Sequence, residues 1–323
     1  MNIKSSTFVD RLQAAMIAKK SVLCVGLDPQ FQFMPLHLVD VVVAKHEKTW
    51  EALGHLYYDS NVAIIDAIEP FAVAVKPQLA FYTGSHFLSW AFEATIAYAH
   101  SKGLLVINDA KCTDGGETAK AYAGAHIGGI PFFDGEIKET SIRADAVTVG
   151  AGYIGEAGVL HFVNQIKTHG TGAFVVDKTS FAPNSAVEQL VTQSCFTVWE
   201  ELAKLVSVWG EGTEGQNGYR NLGVVMGATF PEDAVKMRRI LPKGLFLGPG
   251  YGGQGATAND CAALFNDDGF GAVINSSRGV TGAWAKGQFA CDSKYFAQAA
   301  AKSAEFSRDD LNAGLKRAGK YPF

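Results

Sequence analysis

The sequence predicts a single-domain (β/α)8 barrel of the α/β class, and three observations lead to that prediction. Eight short apolar runs alternate with segments of helical spacing along the 323 residues. Runs that are apolar throughout are typical of parallel strands covered by helices on both faces. Polar residues that could carry chemistry recur where these runs end, as they do on the catalytic face of a barrel.

The predicted elements follow one another without a linker, so we expect one domain over 1–323. Strands are predicted at 21–29, 71–77, 103–108, 146–149, 173–180, 222–229, 245–248 and 271–278. Helices are predicted at 7–20, 48–68, 85–102, 117–126, 155–169, 185–207, 231–240, 257–267 and 293–318. Residues 30–47 and 210–218 are interpreted as irregular loop insertions. An open doubly wound sheet is the alternative, but it favours Gly-x-Gly-x-x-Gly after the first strand, where this chain has Gly26-Leu-Asp-Pro29.

Composition excludes some classes of function. The net charge is −4 and there is no basic block, so nothing supports binding to nucleic acid or to an anionic membrane. The N-terminal residues lack the apolar core of a signal peptide, and no apolar run approaches a membrane span of about 20 residues. The five cysteines are scattered and form no Cys-x-x-Cys motif, which is typical of free thiols in the cytoplasm.

The stretch Asp109-Ala-Lys111-Cys-Thr-Asp114 is the main site candidate. Asp109 and Lys111 are two residues apart, so on an extended strand they face the same side. Asp114 lies an odd number of residues from both, so it would face the opposite side of a strand. It is expected in the following loop, where it could also cap a helix. Buried charges are costly unless they satisfy one another, which favours a site over a packing feature, although a structural ion pair stays possible.

Other strand ends add polar groups to the same face of the predicted barrel. Asp28 and Lys76 each precede a proline, which could also mean a turn or an exposed strand end. The loop 248–255 is rich in glycine, a helix begins near Thr257, and Arg278 ends the last strand. Barrels commonly hold phosphate at the loops after strands seven and eight, so this combination predicts a phosphate site.

Several absences narrow the chemistry. None of the eight histidines lies at a predicted strand end, so neither a histidine triad nor a histidine-rich metal centre is expected there. No nicotinamide or flavin fingerprint occurs, and Cys112 has no neighbouring histidine base. The residues alone therefore predict a phosphorylated small molecule and chemistry carried by lysine and carboxylates.

Eight segments in order resemble the orotidine 5′-phosphate decarboxylase family in its longer bacterial-type branch. They are Cys-Val-Gly-Leu-Asp-Pro (24–29), Ala-Val-Lys-Pro-Gln (74–78), Asp-Ala-Lys-Cys-Thr-Asp-Gly-Gly-Glu-Thr-Ala (109–119), Ala-Val-Thr-Val (146–149), Lys-Thr-Ser (178–180), Val-Met-Gly-Ala-Thr (225–229), Pro-Gly-Tyr-Gly-Gly-Gln-Gly (249–255) and Asn-Ser-Ser-Arg-Gly (275–279). The resemblance implies a cofactor-free and metal-free homodimer that converts orotidine 5′-monophosphate to UMP and carbon dioxide, the last step of de novo pyrimidine nucleotide synthesis.

The resemblance also implies roles for individual residues. Lys111 is expected to protonate C6 of the pyrimidine, beside Asp109 and within a charge array completed by Lys76 and Asp114. Asp114 and Thr118 are expected to serve the active site of the partner subunit. The remaining substrate contacts are expected from Asp28 and Lys76 at the ribose, Ser180 at the pyrimidine, and Gln254 and Arg278 at the phosphate.

The chain departs from the family pattern at Phe181, at Ala119 and at Gly150-Ala-Gly152. These departures concern base recognition and the dimer contact rather than the charge array. Two other functions fit part of the pattern. A sugar-phosphate decarboxylase or aldolase of the same superfamily would use Mg²⁺ and carry a carboxylate where this chain has Lys76. A phosphate-ligand sensor without catalytic activity would not need the set Asp109, Lys111 and Asp114.

Overall fold

Eight parallel strands close into a barrel in the computed structural model, which describes residues 6–181 and 183–323. The neighbours around the barrel are β1-β10-β9-β8-β7-β6-β3-β2, and β1 pairs with β10 to close it. The barrel strands are β1 (Leu23–Leu27), β2 (Ala74–Pro77), β3 (Leu105–Cys112), β6 (Ala146–Val149), β7 (Gly172–Lys178), β8 (Leu222–Met226), β9 (Phe246–Pro249) and β10 (Ala272–Ser276). The predicted (β/α)8 architecture is therefore confirmed.

A two-stranded antiparallel hairpin of β4 (Ile130–Pro131) and β5 (Ile137–Lys138) lies outside the barrel. The helices are α1 (Phe8–Lys19), α2 (Leu36–His46), α3 (Trp50–Ile68), α4 (His86–Ser101), α5 (Gly116–Ile127), α6 (Glu156–His169), α7 (Val198–Trp209), α8 (Pro231–Ile240), α9 (Ala258–Ala262), α10 (Arg278–Thr281) and α11 (Phe296–Arg317). None of the helices in the described ranges is both long and apolar enough to cross a membrane.

The core forms because the strands are apolar on both faces. All residues of β1, β8 and β10 are buried, as expected for strands between a barrel interior and a layer of helices. Amphipathic helices cover the outside: α1 buries Phe8, Leu12 and Met16, and the Phe8 ring meets Phe174 of β7 edge to face. This packing holds the carboxyl ends of all eight strands at one rim.

Four predicted elements differ from the structure. Residues 30–47 are not irregular, because α2 occupies 36–46 and a short 3₁₀ helix covers 31–33. The predicted helix 185–207 begins only at 198, after the capping box formed by Thr197 and Glu200. The predicted helix 257–267 is a helix of five residues, 258–262. The third strand extends to residue 112, beyond the predicted apolar run 103–108, and it carries Asp109 and Lys111, with Asp114 in the following loop as expected.

The predicted loop 210–218 connects α7 to β8. Its Gly215 and Gln216 lie against Asp10 of α1, whose Oδ1 accepts a hydrogen bond from Gln216 N at 2.7 Å. The predicted domain span of 1–323 includes residues 1–5 and Ala182, which lie outside the described residues. The single-domain prediction for the full span thus stays a prediction at those positions.

Candidate active site

A cavity of about 290 Å³ opens at the carboxyl ends of the barrel strands. Its lining contains seven of the nine site residues predicted from the sequence: Asp28, Lys76, Asp109, Lys111, Ser180, Gln254 and Arg278. They come from six different strand ends, which explains why no single local motif contains them.

The inner wall of the cavity carries an alternating chain of charges. Lys76 Nζ lies 2.5 Å from Asp109 Oδ2, and Lys111 Nζ lies 2.6 Å from Asp109 Oδ1. The side chains of Lys76 and Asp109 are buried, whereas that of Lys111 is 48% exposed. One carboxylate therefore holds two ammonium groups that both line the cavity, Lys76 buried in its wall and Lys111 half exposed.

The backbone at Lys111 is unusual. Its φ is +47°, in the left-handed region that side chains other than glycine rarely adopt, and the pairing of β3 with β6 shifts register between Asn108 and Cys112. Thr148 stabilises this bulge, because its Oγ1 accepts a hydrogen bond from Lys111 N at 3.0 Å and donates to Asp109 Oδ1 at 2.8 Å. The bulge, rather than a regular strand, thus sets the position of Lys111 relative to Asp109.

Lys76, Asp109 and Lys111 stabilise one another's charged forms. Burial by itself would raise the pKa of Asp109, but the ammonium groups of Lys76 and Lys111 outweigh it and hold that pKa well below its ordinary value. Burial likewise opposes the charge on Lys76, but Asp109 and Asp28 outweigh it and raise the pKa of Lys76. The carboxylate and the buried ammonium therefore both remain charged over a wide pH range.

Three residues that line the cavity, Asp28, Thr179 and Asn275, have a buried polar atom without a partner among the described residues. Asp28 Oδ1 and Asn275 Oδ1 have no hydrogen-bond partner among the described residues, and both side chains line the cavity. Buried acceptors normally find a donor, so these two oxygens suit hydroxyl or amine groups of a bound molecule. Asn275 was not among the predicted residues, although it ends the eighth barrel strand and thus matched the strand-end pattern.

The opposite side of the cavity is more open and carries Gln254 and Arg278, both exposed. Gly250 has a φ of +116°, and a Cβ there would lie 3.2 Å from Thr229 Cγ2, so the loop after β9 takes its course only with glycine. The arginine and the adjacent backbone can hold an anionic group bidentately. α9 begins after Thr257 as predicted, but neither Thr257 nor any residue of this helix lines the cavity, and the hydroxyl of Thr257 and the carboxylate of Asp260 cap each other's backbone N–H groups.

Asp114 and Thr118 do not line the cavity of their own chain. Both are exposed, and Asp114 Oδ1 accepts a hydrogen bond from Gly115 N at 2.7 Å. The structure thus brings Lys76, Asp109 and Lys111 together and leaves the other two predicted residues on the surface. Asp114 is also not the helix cap, because Gly115 occupies that position of α5.

A second lysine–carboxylate cluster lies behind the cavity and was not predicted. Lys178, at the end of β7, is completely buried; its Nζ donates to Asn184 Oδ1 at 2.6 Å and to Glu188 Oε2 at 3.1 Å. It also lies 4.3 Å from the ring centroid of Phe230. Glu188 Oε1 accepts from Thr179 N at 3.1 Å, so this cluster anchors the loop that carries Ser180.

Comparison with known proteins shows which family this chain resembles. The model of the Orotidine 5'-phosphate decarboxylase / HUMPS family matches residues 21–290. An orotidine 5′-phosphate decarboxylase of Rhodopirellula baltica is 35% identical over 284 residues, covering 88% of this chain and 91% of the relative. One from Caldicellulosiruptor saccharolyticus is 33% identical, covering 84% and 88%. Among solved structures, Leishmania donovani OMP decarboxylase superposes with a TM-score of 0.68 at 26% identity, covering 95% of this chain and 98% of that one.

Proposed function

This chain belongs to the orotidine 5′-phosphate decarboxylase / HUMPS family, and from that premise we propose that it converts orotidine 5′-monophosphate to UMP and carbon dioxide. In that activity it is a carboxy-lyase of the last step of de novo pyrimidine nucleotide synthesis. The observation that carries the proposal is the chain Lys76–Asp109–Lys111, whose two contacts of 2.5 and 2.6 Å lie at the wall of a cavity with an anion-holding rim.

The chemistry follows from the charges. When the bond between C6 and the carboxylate breaks, carbon dioxide leaves and its electron pair remains on C6. A preorganised ammonium stabilises that developing charge and then supplies a proton, so Lys111 Nζ becomes neutral as the C6–H bond forms. Solvent returns the proton to Lys111, whose half-exposed side chain is accessible from the cavity. Asp109 holds Lys111 in place and keeps Lys76 charged beside it.

The rest of the cavity supports binding of a nucleoside monophosphate. We assign the ribose hydroxyls to Lys76 and to Asp28, whose Oδ1 has no donor within residues 6–181 and 183–323. Ser180 is assigned to the pyrimidine, and Gln254 with Arg278 to the phosphate. Contacts to the phosphate, distant from C6, can supply binding energy that orders the charge array.

A magnesium-dependent sugar-phosphate decarboxylase of the same superfamily is the second candidate, and one observation disfavours it. A divalent cation in the cavity would need several carboxylate oxygens, but both oxygens of Asp109 already accept from ammonium groups, which leaves Asp28 as the one lining carboxylate with an open oxygen among the described residues. Lys76 would also place a positive charge against the ion. We therefore propose catalysis without a metal ion or cofactor.

We further propose that the enzyme works as a homodimer and that Asp114 and Thr118 reach into the partner's cavity. Their exposure and their separation from the cavity of their own chain support this. A cytoplasmic location belongs to the same proposal and is supported by the five cysteines, all of which are free thiols.

The decisive experiment follows the loss of orotidylate ultraviolet absorbance with purified protein in buffer containing EDTA. We expect turnover at the same rate with and without the chelator. A folded, dimeric protein that leaves the absorbance unchanged would contradict the proposal, and activity that requires added Mg²⁺ would favour the second candidate.

The shared-site proposal has its own test. Lys111→Ala and Asp114→Asn proteins are each expected to be inactive alone. If Asp114 acts in trans, mixed dimers contain one site with neither substitution, so mixing the two proteins restores activity. Mixed dimers that form, as shown by a tag on one subunit, but remain inactive would contradict the shared site without affecting the assigned reaction.

A further inference from the structure

Three potential metal ligands meet on the outer face of the barrel, away from the cavity. His46 ends α2, and Glu51 and His55 lie four residues apart on the first turns of α3. His46 Nδ1 lies 3.1 Å from Glu51 Oε1, and His55 Nε2 lies 4.0 Å from the same oxygen. All three ligand atoms lie within 4.8 Å of one another, and all three residues are partly buried.

We propose that His46, Glu51 and His55 bind a divalent transition-metal ion of the zinc type, with water as the remaining ligand. Two imidazoles and one carboxylate are a ligand set that Zn²⁺ accepts in tetrahedral sites. Bonds of about 2.0–2.2 Å place neighbouring ligand atoms about 3.3 Å apart in such a site. The observed separations of 3.1 and 4.0 Å bracket that value, so side-chain adjustment alone completes the site.

The adjustment required is specific. The two imidazole rings are stacked, with centroids 4.5 Å apart and planes 14° apart. Because a metal lies in the plane of each imidazole that binds it, one ring must turn about its Cβ–Cγ bond. The His55 side chain is 31% exposed and that of His46 only 13%, so His55 is the ring that moves. Trp90 lies against this ring, with ring centroids 4.8 Å apart.

The ion would join two helices that the chain connects only through residues 47–49. The segment from the end of β1 to α3 contains Asp28 and α2, and a small apolar cavity beside Asp28 and Arg278 is lined by Phe33, Met34 and Ile64. A metal tie between α2 and α3 would therefore restrain the segment that lines this small cavity, which shares Asp28 and Arg278 with the substrate cavity. It would stabilise the fold and take no part in proton transfer.

The test measures Zn²⁺ binding to the purified chain by competition with a chromogenic chelator. One Zn²⁺ per chain is expected for the wild type, with Mg²⁺ at the same concentration failing to compete because imidazole ligands suit Zn²⁺ better. Loss of a ligand in His46→Gln, Glu51→Gln or His55→Gln is expected to weaken Zn²⁺ binding at least about 10-fold. Even the loss of a residue that only hydrogen-bonds to a metal ligand weakens metal binding by about that factor. Zn²⁺ should also raise the unfolding temperature of the wild type and not of these variants.

His161→Gln on α6 is the matched control and should bind Zn²⁺ as the wild type does. Circular dichroism distinguishes a lost ligand from a lost fold, since partly exposed histidines on helices tolerate glutamine. Wild-type protein that binds no Zn²⁺, or that binds it no more tightly than a His46→Gln/His55→Gln double variant, would overturn the proposal. Neither result depends on the decarboxylase activity.

Discussion

Two lysine–carboxylate clusters occur at barrel strand ends, and they differ in one respect that separates chemistry from architecture. In the cavity, Asp109 pairs with Lys76 and Lys111, and the side chain of Lys111 is 48% exposed. Behind the cavity, Lys178 is 0% exposed and is surrounded by Asn184, Glu188 and Phe230. Both clusters arise from charged residues near the end of an apolar strand, yet only the first presents an ammonium to a ligand.

The comparison teaches that burial of a charge does not by itself indicate catalysis. The hydrogen bonds of the second cluster hold the loop 179–188. Lys178 donates to Asn184, and Glu188 accepts from Thr179 N. The second cluster has no group left for a substrate. The cavity cluster keeps the other hydrogen-bonding positions of the Lys111 ammonium available, which is what proton donation needs.

The largest expected effect is on turnover. Lys111→Ala removes both the stabilising charge and the proton donor, so kcat should fall by at least about 10⁴-fold. Because the side chain is half exposed and Asp109 keeps Lys76 and Thr148, unfolding free energy should change by less than about 1 kcal/mol. The orotidylate assay and urea unfolding measure the two quantities. A variant that loses its fold instead would show that the two clusters do not differ in this way.

Lys178→Met should have the opposite effects, a large loss of unfolding free energy and a small loss of turnover. Glu188 would then keep a buried charge without its ammonium partner, which costs about 3–5 kcal/mol of unfolding free energy. Urea unfolding measures the loss, and activity per folded molecule should fall far less than in Lys111→Ala. In Lys178→Met/Glu188→Gln neither charge of this pair remains, and of the carboxylates near Lys178 only the more exposed Asp233, 3.9 Å away, loses its partner, so much of the stability should return. A single variant as stable as the wild type would contradict the anchoring role of this pair.

Asp109→Asn tests the electrostatics of the cavity cluster. The pKa of Asp109 is lowered by Lys76 and Lys111 against the effect of burial, so the carboxylate stabilises the fold above the ordinary pKa near 3.8. That contribution is lost as the pH falls through the lower pKa of the folded state. We expect the variant to be about 1.5–3 kcal/mol less stable at pH 7, with a difference that shrinks below pH 4. A difference independent of pH would contradict this assignment.

Asp177→Asn, beside the second cluster, should have the smallest effect and the opposite sign. Both carboxyl oxygens of Asp177 are buried without partners in the described chain, and burial, with Glu188 nearby, raises its pKa well above the ordinary value. Folding therefore takes up a proton above about pH 3.8, and the stability present below that pH is lost as the pH rises toward the higher pKa of the folded state. The variant should be more stable by about 0.5–2 kcal/mol at pH 8 and nearly unchanged at pH 3. Thermal unfolding at both values checks this.

Much of this protein was determined by local sequence. Apolar runs alternating with helical spacing predicted all eight barrel strands, because a strand buried on both faces must be apolar throughout. The strand-end pattern also predicted Asp28, Lys76, Asp109, Lys111 and Arg278 in the cavity, since a barrel gathers its strand ends at one rim, and the family resemblance added Ser180 and Gln254. The true start of α7 was readable as well, from Thr197 and Glu200 as a capping box, but the apolar residues of 185–196 obscured it.

Other features depended on contacts between residues far apart in the chain. The left-handed backbone of Lys111 and its bond to Thr148 depend on how β3 meets β6, which no local pattern encodes. The partner of Lys178 lies ten residues away on an irregular loop, and its burial is completed by Phe230 from another strand–helix unit. Local sequence therefore decided which residues reach the rim. Tertiary packing decided which charges face the cavity and which are enclosed, because exposure depends on neighbours contributed by several strands at once.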